Sequence, residues 1–165
     1  MLEFIKLDND NGDALANMLE LYQHDLADIW KQDVNNACRY EYDLSEYETA
    51  LHGSDAILLR TDGQWVGFAM SNRKSFIQPA RWMDQFFILK GHRRSSFGRA
   101  LATYALSTWP GRWEIGVMRE NTSAYRFWKN TLQELSNVIG CNECEFDNGW
   151  WSGQIFCFET NEHAE

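Results

Sequence analysis

The chain has 165 residues, a hydrophobic content of 44% and only 2 prolines, which fits one folded domain with a single core. Its formal net charge of −9 argues against a nucleic-acid partner, because phosphate binding requires a basic face. The first residues lack a basic stretch followed by a long apolar one, and no apolar run is long enough to span a bilayer. We therefore expect no signal peptide, no membrane partner and a cytoplasmic location.

The first half of the chain predicts a strand, a helical region and a hairpin. Residues 4–7 predict a short strand, and Asp13 can begin a helix with apolar residues at helical spacing. Helical character continues through Trp30, in the same helix or in a second short one. Two strands are predicted at 56–60 and 65–71, and the Asp-Gly pair between them is a strong hairpin signal.

The second half predicts four strands and two helices. The helix at 98–108 is apolar nearly all round and should be well buried, whereas the helix at 122–135 has one apolar stripe. The strands are predicted at 82–89, 113–118, 138–146 and 150–158, the last two as a hairpin across an Asp-Asn-Gly turn. The order β–α–α–β–β–β–α–β–α–β–β predicts an α/β fold whose mixed sheet has about seven strands and about four flanking helices.

A basic turn between the fourth strand and the third helix is the most informative segment. It reads Arg-Arg-Ser-Ser-Phe-Gly from Arg93 to Gly98. The backbone N–H groups of such a turn, with the N-terminus of the helix that follows, can bind a pyrophosphate. The segment resembles the Arg/Gln-x-x-Gly-x-Gly/Ala signature of the GNAT superfamily, with Ser96 in place of the first Gly. Ser96 would be strained if its φ were positive, and would be a good N-cap if it stood at the helix entrance.

A second motif strengthens the resemblance. Asn121-x-x-Ala124-x-x-Phe127-Trp128 is similar to the superfamily's Asn-x-x-Ala-x-x-Leu/Phe-Tyr. The resemblance implies that Asn121 binds the pantetheine arm, and the Asn can also cap the helix because capping occupies only one side of its amide. Trp128 replaces a Tyr that often protonates the departing CoA sulfur. Because an indole N–H is not acidic, we expect Trp128 to pack beside the pantetheine and not to transfer a proton.

The resemblance implies an N-acetyltransferase that uses acetyl-CoA and acts by direct attack of a primary amine. The acceptor would be a small molecule or a peptide, and the negative net charge is compatible with a cationic one. Asp84 is the first candidate for the general base and Glu114 the second, although either could be an ordinary carboxylate at a strand end. A backbone N–H near Ile88 or Leu89 would polarise the thioester. The residues expected to contact the cofactor are Ile88, Leu89, Arg93, Arg94, Ser95, Ser96, Phe97, Gly98, Arg99, Asn121 and Trp128.

Two alternatives to an enzyme remain open from the sequence. One is a module of the same fold that binds acyl-CoA without turnover, as a sensor. The other is an interaction domain in which Trp150 and Trp151 contribute to an association surface. The pair Cys141 and Cys144 lacks a second close pair, so we expect no metal site and reduced thiols. The oligomeric state is not fixed by the sequence, and a monomer or a homodimer is expected.

Overall fold

Seven strands and four helices follow one another in the computed structural model, which describes residues 1–161. The strands are β1 Leu2–Lys6, β2 Asp55–Thr61, β3 Gln64–Asn72, β4 Arg81–Ile88, β5 Gly111–Met118, β6 Val138–Asp147 and β7 Ser152–Thr160. The helices are α1 Gly12–Trp30, α2 Ser45–Glu48, α3 Phe97–Thr108 and α4 Thr122–Glu134, with two short 3-10 helices at Leu51–Gly53 and Lys90–His92. The predicted α/β class and the predicted order of elements are confirmed.

The strands form one mixed sheet with the order β1-β2-β3-β4-β5-β7-β6. All neighbouring pairs are antiparallel except β4 and β5, which are parallel. The predicted turn between β2 and β3 is present, with positive φ angles of 49° at Asp62 and 78° at Gly63. Two successive left-handed residues are what a tight hairpin with the right-handed strand twist requires.

Each face of the sheet is covered by its own pair of helices. Alternate residues of β2 belong to different clusters, because Ile57 packs with α3 and α4 whereas Leu58 packs with α1 and α2. Helix α1 is one continuous helix through Trp30, and the second helix is the separate α2. Among the helices of residues 1–161, none is long and apolar enough to cross a membrane.

The sheet opens between β4 and β5. These strands pair only at Arg81 with Trp113 and at Trp82 with Glu114, and then separate. Strand β5 nevertheless stays paired with β7 along its whole length. The result is a wedge-shaped gap that widens toward the ends of β4 and β5, where α3 and α4 follow. We call it the β4–β5 gap.

A β-bulge interrupts the ladder between β3 and β4 beside this gap. Met70 is paired with Gln85 and Ser71 with Met83, so Asp84 has no partner on β3. Bulges redirect side chains and occur frequently next to active sites. Here the bulge turns Asp84 toward the face of the sheet that carries α1 and α2, where its hydrogen-bond partners lie.

Candidate functional site

The edge of β4 that faces the gap offers unpaired backbone N–H groups. The N–H of Leu89 donates to the carbonyl oxygen of Val66 at 2.9 Å, so it is used by the ladder with β3. In an antiparallel ladder successive N–H groups point to opposite sides. The N–H of Ile88 therefore points away from β3 and into the β4–β5 gap. Of the two predicted donors, Ile88 is the one that the fold leaves available.

Ser96 is not the residue of the basic turn that has a strained backbone conformation. Ser96 is helical, with φ of −73° and ψ of −2°, and it stands at the N-cap position of α3. The helix-entrance alternative is thus the correct one, although the Ser96 side chain makes no capping hydrogen bond. The left-handed residue of the turn is Arg94, with φ of 61°. For a residue with a side chain this conformation costs roughly 1–2 kcal/mol.

The N-terminus of α3 presents backbone donors beside the gap. The N–H of Ala100 makes a hydrogen bond of the first turn, to the Ser96 carbonyl oxygen at 2.9 Å. The preceding N–H groups, including that of Gly98, have no partner within the helix. A Cβ added at Gly98 would lie 3.1 Å from Cε2 of Phe127. Gly98 therefore allows the first turn of α3 to approach α4 closely.

Two of the three predicted cationic side chains are bound within the protein. Arg93 donates from Nε to the Ile88 carbonyl oxygen at 2.8 Å and forms an ion pair with Asp25 of α1. Arg99 pairs with Glu134 at the end of α4. Arg94 forms no ion pair with any residue between positions 1 and 161, so it is the arginine of this turn that remains available for a phosphate.

Asp25 connects α1 to this turn through two cations. Besides Arg93, it pairs with Lys90, whose Nζ lies 2.6 Å from Oδ1. Burial raises the pKa of Asp25, but the hydrogen bonds from Lys90 and Arg93 outweigh it and hold that pKa below its ordinary value. Asp25 is therefore the anchor of a small ion-pair cluster that fixes the end of β4 against α1.

The second motif lies at the start of α4. Asn121 stands at the N-cap of α4, and its Oδ1 accepts a hydrogen bond from the Ala124 N–H at 3.2 Å. Its Nδ2 makes no hydrogen bond within residues 1–161 and is free for a ligand. Trp128 is buried, and its ring meets Phe86 of β4 edge to face with the centroids 4.8 Å apart. Trp128 therefore packs against β4 beside the β4–β5 gap.

Asp84 lies in a network that the sequence did not reveal. Its Oδ2 accepts hydrogen bonds from the hydroxyls of Tyr47 at 2.6 Å and Tyr42 at 3.0 Å. Asn72 in turn donates to Tyr47, and Gln85 donates to Tyr42, each at 3.3 Å. Burial and the neighbouring Asp84 charge raise the pKa of both tyrosines. Both hydroxyls therefore stay protonated donors, and Oδ1 of Asp84 has no hydrogen-bond partner among the described residues.

Glu114 is held very differently. Its side chain is fully buried, at 0% exposed. Its carboxylate oxygens accept hydrogen bonds from the backbone N–H groups of Phe76 at 2.7 Å, Ile77 at 3.0 Å and Gln78 at 2.8 Å. These three residues belong to the loop between β3 and β4. Glu114 therefore anchors that loop, and both of its oxygens are occupied by backbone donors.

Comparison with known proteins identifies related folds. Residues 15–132, more than half of the chain, match the family model described as the acetyltransferase (GNAT) family. A search of curated proteins found no match.

Three solved structures illustrate the similarity. The spermidine N-acetyltransferase of Vibrio cholerae, in complex with CoA and spermine, has 16% identity and a TM-score of 0.65 over 96% of this chain and 95% of that one. The yncA protein of Salmonella typhimurium, with acetyl-CoA, has 16% identity and a TM-score of 0.62 over 99% and 95%. The diaminobutyrate acetyltransferase EctA of Paenibacillus lautus, with L-2,4-diaminobutyric acid and coenzyme A, has 15% identity and a TM-score of 0.62 over 97% and 95%. At such identities the similarity is evidence for the fold alone.

Proposed function

The chain belongs to the GNAT family of acetyltransferases, which use acetyl-CoA, and we propose that it transfers an acetyl group to a primary amine by direct attack. The observation that carries the proposal is the β4–β5 gap, with the N–H of Ile88 on one edge and Asp84 on the face toward α1 and α2. The acceptor is a small molecule or a peptide. Spermine and diaminobutyric acid, which are bound by two proteins of similar fold, are both amines.

The chain's own groups fit the acyl donor, which supplies an acetyl thioester. The N–H groups of Gly98 and Arg99 and the side chain of Arg94, which have no partner among residues 1–161, suit a pyrophosphate, because a helix N-terminus and an arginine both stabilise phosphate charge. The free Nδ2 of Asn121 suits a carbonyl of the pantetheine arm. Arg93 and Arg99 act indirectly, by fixing the turn through Asp25 and Glu134.

The Ile88 N–H is assigned to the thioester carbonyl. It is fixed by the strand and points into the gap, so it needs no rearrangement to donate to an oxygen on which negative charge develops. Leu89 does not share this role, because its N–H is bonded to Val66.

Asp84 is assigned as the general base. An alkylammonium group has a pKa of about 10, so it must lose a proton before its nitrogen can attack. The free Oδ1 of Asp84 accepts that proton, directly or through one water molecule, while Tyr42 and Tyr47 hold Oδ2. We do not assign this role to Glu114, since its two oxygens are occupied by the loop at 76–78.

The leaving group requires no acid from the protein. The amine nitrogen forms a bond to the carbonyl carbon as the C–S bond breaks, the electron pair of that bond leaves with the sulfur as a thiolate, and the nitrogen releases its second proton to water to give the neutral amide. A thiol has a pKa of about 8.5, so its release in the ionised form near pH 7 opposes the reaction by only roughly 2 kcal/mol. Trp128, buried against Phe86, is therefore a packing residue in this mechanism.

The experiment has two parts. Titration calorimetry with acetyl-CoA tests the cofactor, and thiol release is then followed with acetyl-CoA and a panel of amines, amino acids and peptides. We expect binding and amine-dependent release of CoA. Binding without release for every acceptor would favour the sensor alternative, and absence of binding at low salt would contradict both. Location in the cytoplasm stays a prediction.

A further inference from the structure

Four aromatic side chains come together on the same face of the sheet as Asp84. The ring of Phe76 lies 4.8 Å from that of Trp82, 5.0 Å from that of Phe146 and 6.0 Å from that of Trp151. Trp82 is on β4, two residues before Asp84. Phe146 and Trp151 are on the hairpin of β6 and β7, and Phe76 is on the loop between β3 and β4. We call these four residues the aromatic wall.

The aromatic wall borders the β4–β5 gap. A Cβ added at Gly116 of β5 would lie 2.3 Å from Cη2 of Trp82 and 2.9 Å from Cη2 of Trp151. Both indole rings therefore lie across β5 beside the opening. Ile115 and Val117, the residues on either side of Gly116 in β5, pack with α3 and α4. Gly116 and the wall are therefore on the opposite face, which is the face of Asp84.

Part of the wall is accessible from solvent. Phe76 is 45% exposed, and Ile77 next to it is 47% exposed. The loop that carries both residues is held by Glu114, whose carboxylate binds their backbone N–H groups. Burial of a charge costs free energy unless the charged group is hydrogen bonded, and both carboxylate oxygens of Glu114 are. Glu114 thus acts as a positioning residue that sets Phe76 against Trp82.

The charges near the wall leave Asp84 as a carboxylate that can bind the ammonium group of a ligand. Glu46 is neutralised by Lys74, and Glu114 is occupied by three backbone donors. Asp84 forms no ion pair with any of the residues 1–161, so it is available for a ligand cation.

We propose, resting on the acetyltransferase function above, that the acceptor is a primary amine that carries an aromatic ring. The ring lies against the aromatic wall, where stacked and edge-to-face contacts are favourable, and the amine reaches Oδ1 of Asp84. An aliphatic amine of similar length gains less from this surface. Specificity for the ring thus comes from Phe76, which is exposed, and from Trp151, which is partly buried.

The test compares 2-phenylethylamine with butan-1-amine and spermidine as acceptors for the full chain with acetyl-CoA. We expect kcat/KM for 2-phenylethylamine to exceed that for butan-1-amine by about tenfold or more, the range that apolar pockets give. The variants Trp151→Ala and Phe76→Leu, the second of which keeps apolar volume but removes the ring, should reduce this preference to within a few-fold. Trp150→Ala is the matched control, because Trp150 is 93% exposed, and it should keep the preference.

Glu114→Gln tests the positioning role, because an amide cannot accept three backbone hydrogen bonds as a carboxylate does. It should raise KM for 2-phenylethylamine several-fold and leave KM for butan-1-amine nearly unchanged. Equal turnover of the two monoamines by the unaltered chain, or a preference for spermidine, would overturn the inference and leave the acetyltransferase function intact.

If no amine is acetylated, the proposed acetyltransferase function is contradicted, whereas binding of an aromatic amine at the wall can still be tested. Saturation-transfer NMR with 2-phenylethylamine then tests directly whether the aromatic wall binds the ring. Transfer to the ring that is lost in Trp151→Ala and kept in Trp150→Ala supports it, and absence of transfer in the unaltered chain overturns it.

Discussion

The hydroxyl of Tyr47 on α2 donates a 2.6 Å hydrogen bond to Oδ2 of Asp84, the unpaired residue in the bulge of β4. This contact joins the short helix on one face of the sheet to the strand that lines the β4–β5 gap. It also leaves Oδ1 as the oxygen of Asp84 that can meet a substrate, on which the proposed mechanism depends.

Replacement of Asp84 by Asn should lower kcat by about 10²-fold or more, as is typical for the loss of a general base. The affinity for acetyl-CoA should change little, because the groups assigned to the cofactor lie on α3, α4 and the end of β4. Steady-state kinetics and calorimetry on the same protein measure both quantities. A wild-type kcat in this variant would contradict the assignment of Asp84 and would mean that solvent accepts the proton.

Proline substitution can distinguish the roles of the N–H groups of Ile88 and Leu89 at the end of β4, since proline lacks an N–H group. Ile88→Pro should lower kcat by about 10²–10³-fold, the usual cost of losing one oxyanion donor, because this N–H faces the gap. Leu89→Pro should instead lower the free energy of unfolding, because it removes the bond to Val66. Ile88→Val is the control and should keep most of the activity. Equal loss of stability in both proline variants would contradict the assignment.

The tyrosines around Asp84 should resist alkaline titration. Burial and the Asp84 charge raise the pKa of Tyr22, Tyr42 and Tyr47, so these side chains favour the neutral form in the folded protein. Their contribution to stability is present below pH 10, where an unfolded tyrosine titrates, and is lost as the pH rises above it. Tyrosinate absorbance should therefore show these three ionising only together with unfolding. A reversible titration of all six tyrosines near pH 10 in the folded protein would contradict the network.

The contribution of Asp25 to the free energy of unfolding should depend on pH in the acid range. Because its pKa is held below the ordinary value, its contribution to stability is present above about pH 4 and is lost as the pH falls through its folded-state pKa. Asp25→Asn should thus be less stable than the unaltered chain at pH 7, and the difference should shrink toward pH 3. Urea unfolding at both pH values measures this. A difference that does not depend on pH would mean that Asp25 acts through packing and not through its charge.

Much of the fold could be predicted from local signals. The spacing of apolar residues, the Asp-Gly turn at 62–63 and the basic turn at 93–98 give the order of strands and helices, and the structure confirms that order. The strained residue was harder to place. The family pattern directs attention to Ser96, yet the left-handed residue is Arg94, because Ser96 already belongs to the helix entrance.

The contacts of the candidate site depend on residues far apart in the chain. No local pattern indicates that Tyr42 and Tyr47 reach Asp84, or that Arg93 is bound by Asp25. These pairs form only when α1 and α2 pack on the sheet. The same holds for Glu114, which looks like an exposed strand carboxylate in the sequence and is enclosed by a loop almost 40 residues earlier.

We propose that acetyl-CoA bound at the β4–β5 gap acetylates an amine. Mass spectrometry of the acceptor after incubation with acetyl-CoA labelled in the acetyl carbon tests it most directly. We expect one labelled acetyl group on the amine nitrogen, in an amount equal to the free CoA formed, and loss of both in Ile88→Pro. Free CoA without labelled acceptor, or label transferred equally well by Ile88→Pro with its fold intact, would contradict it.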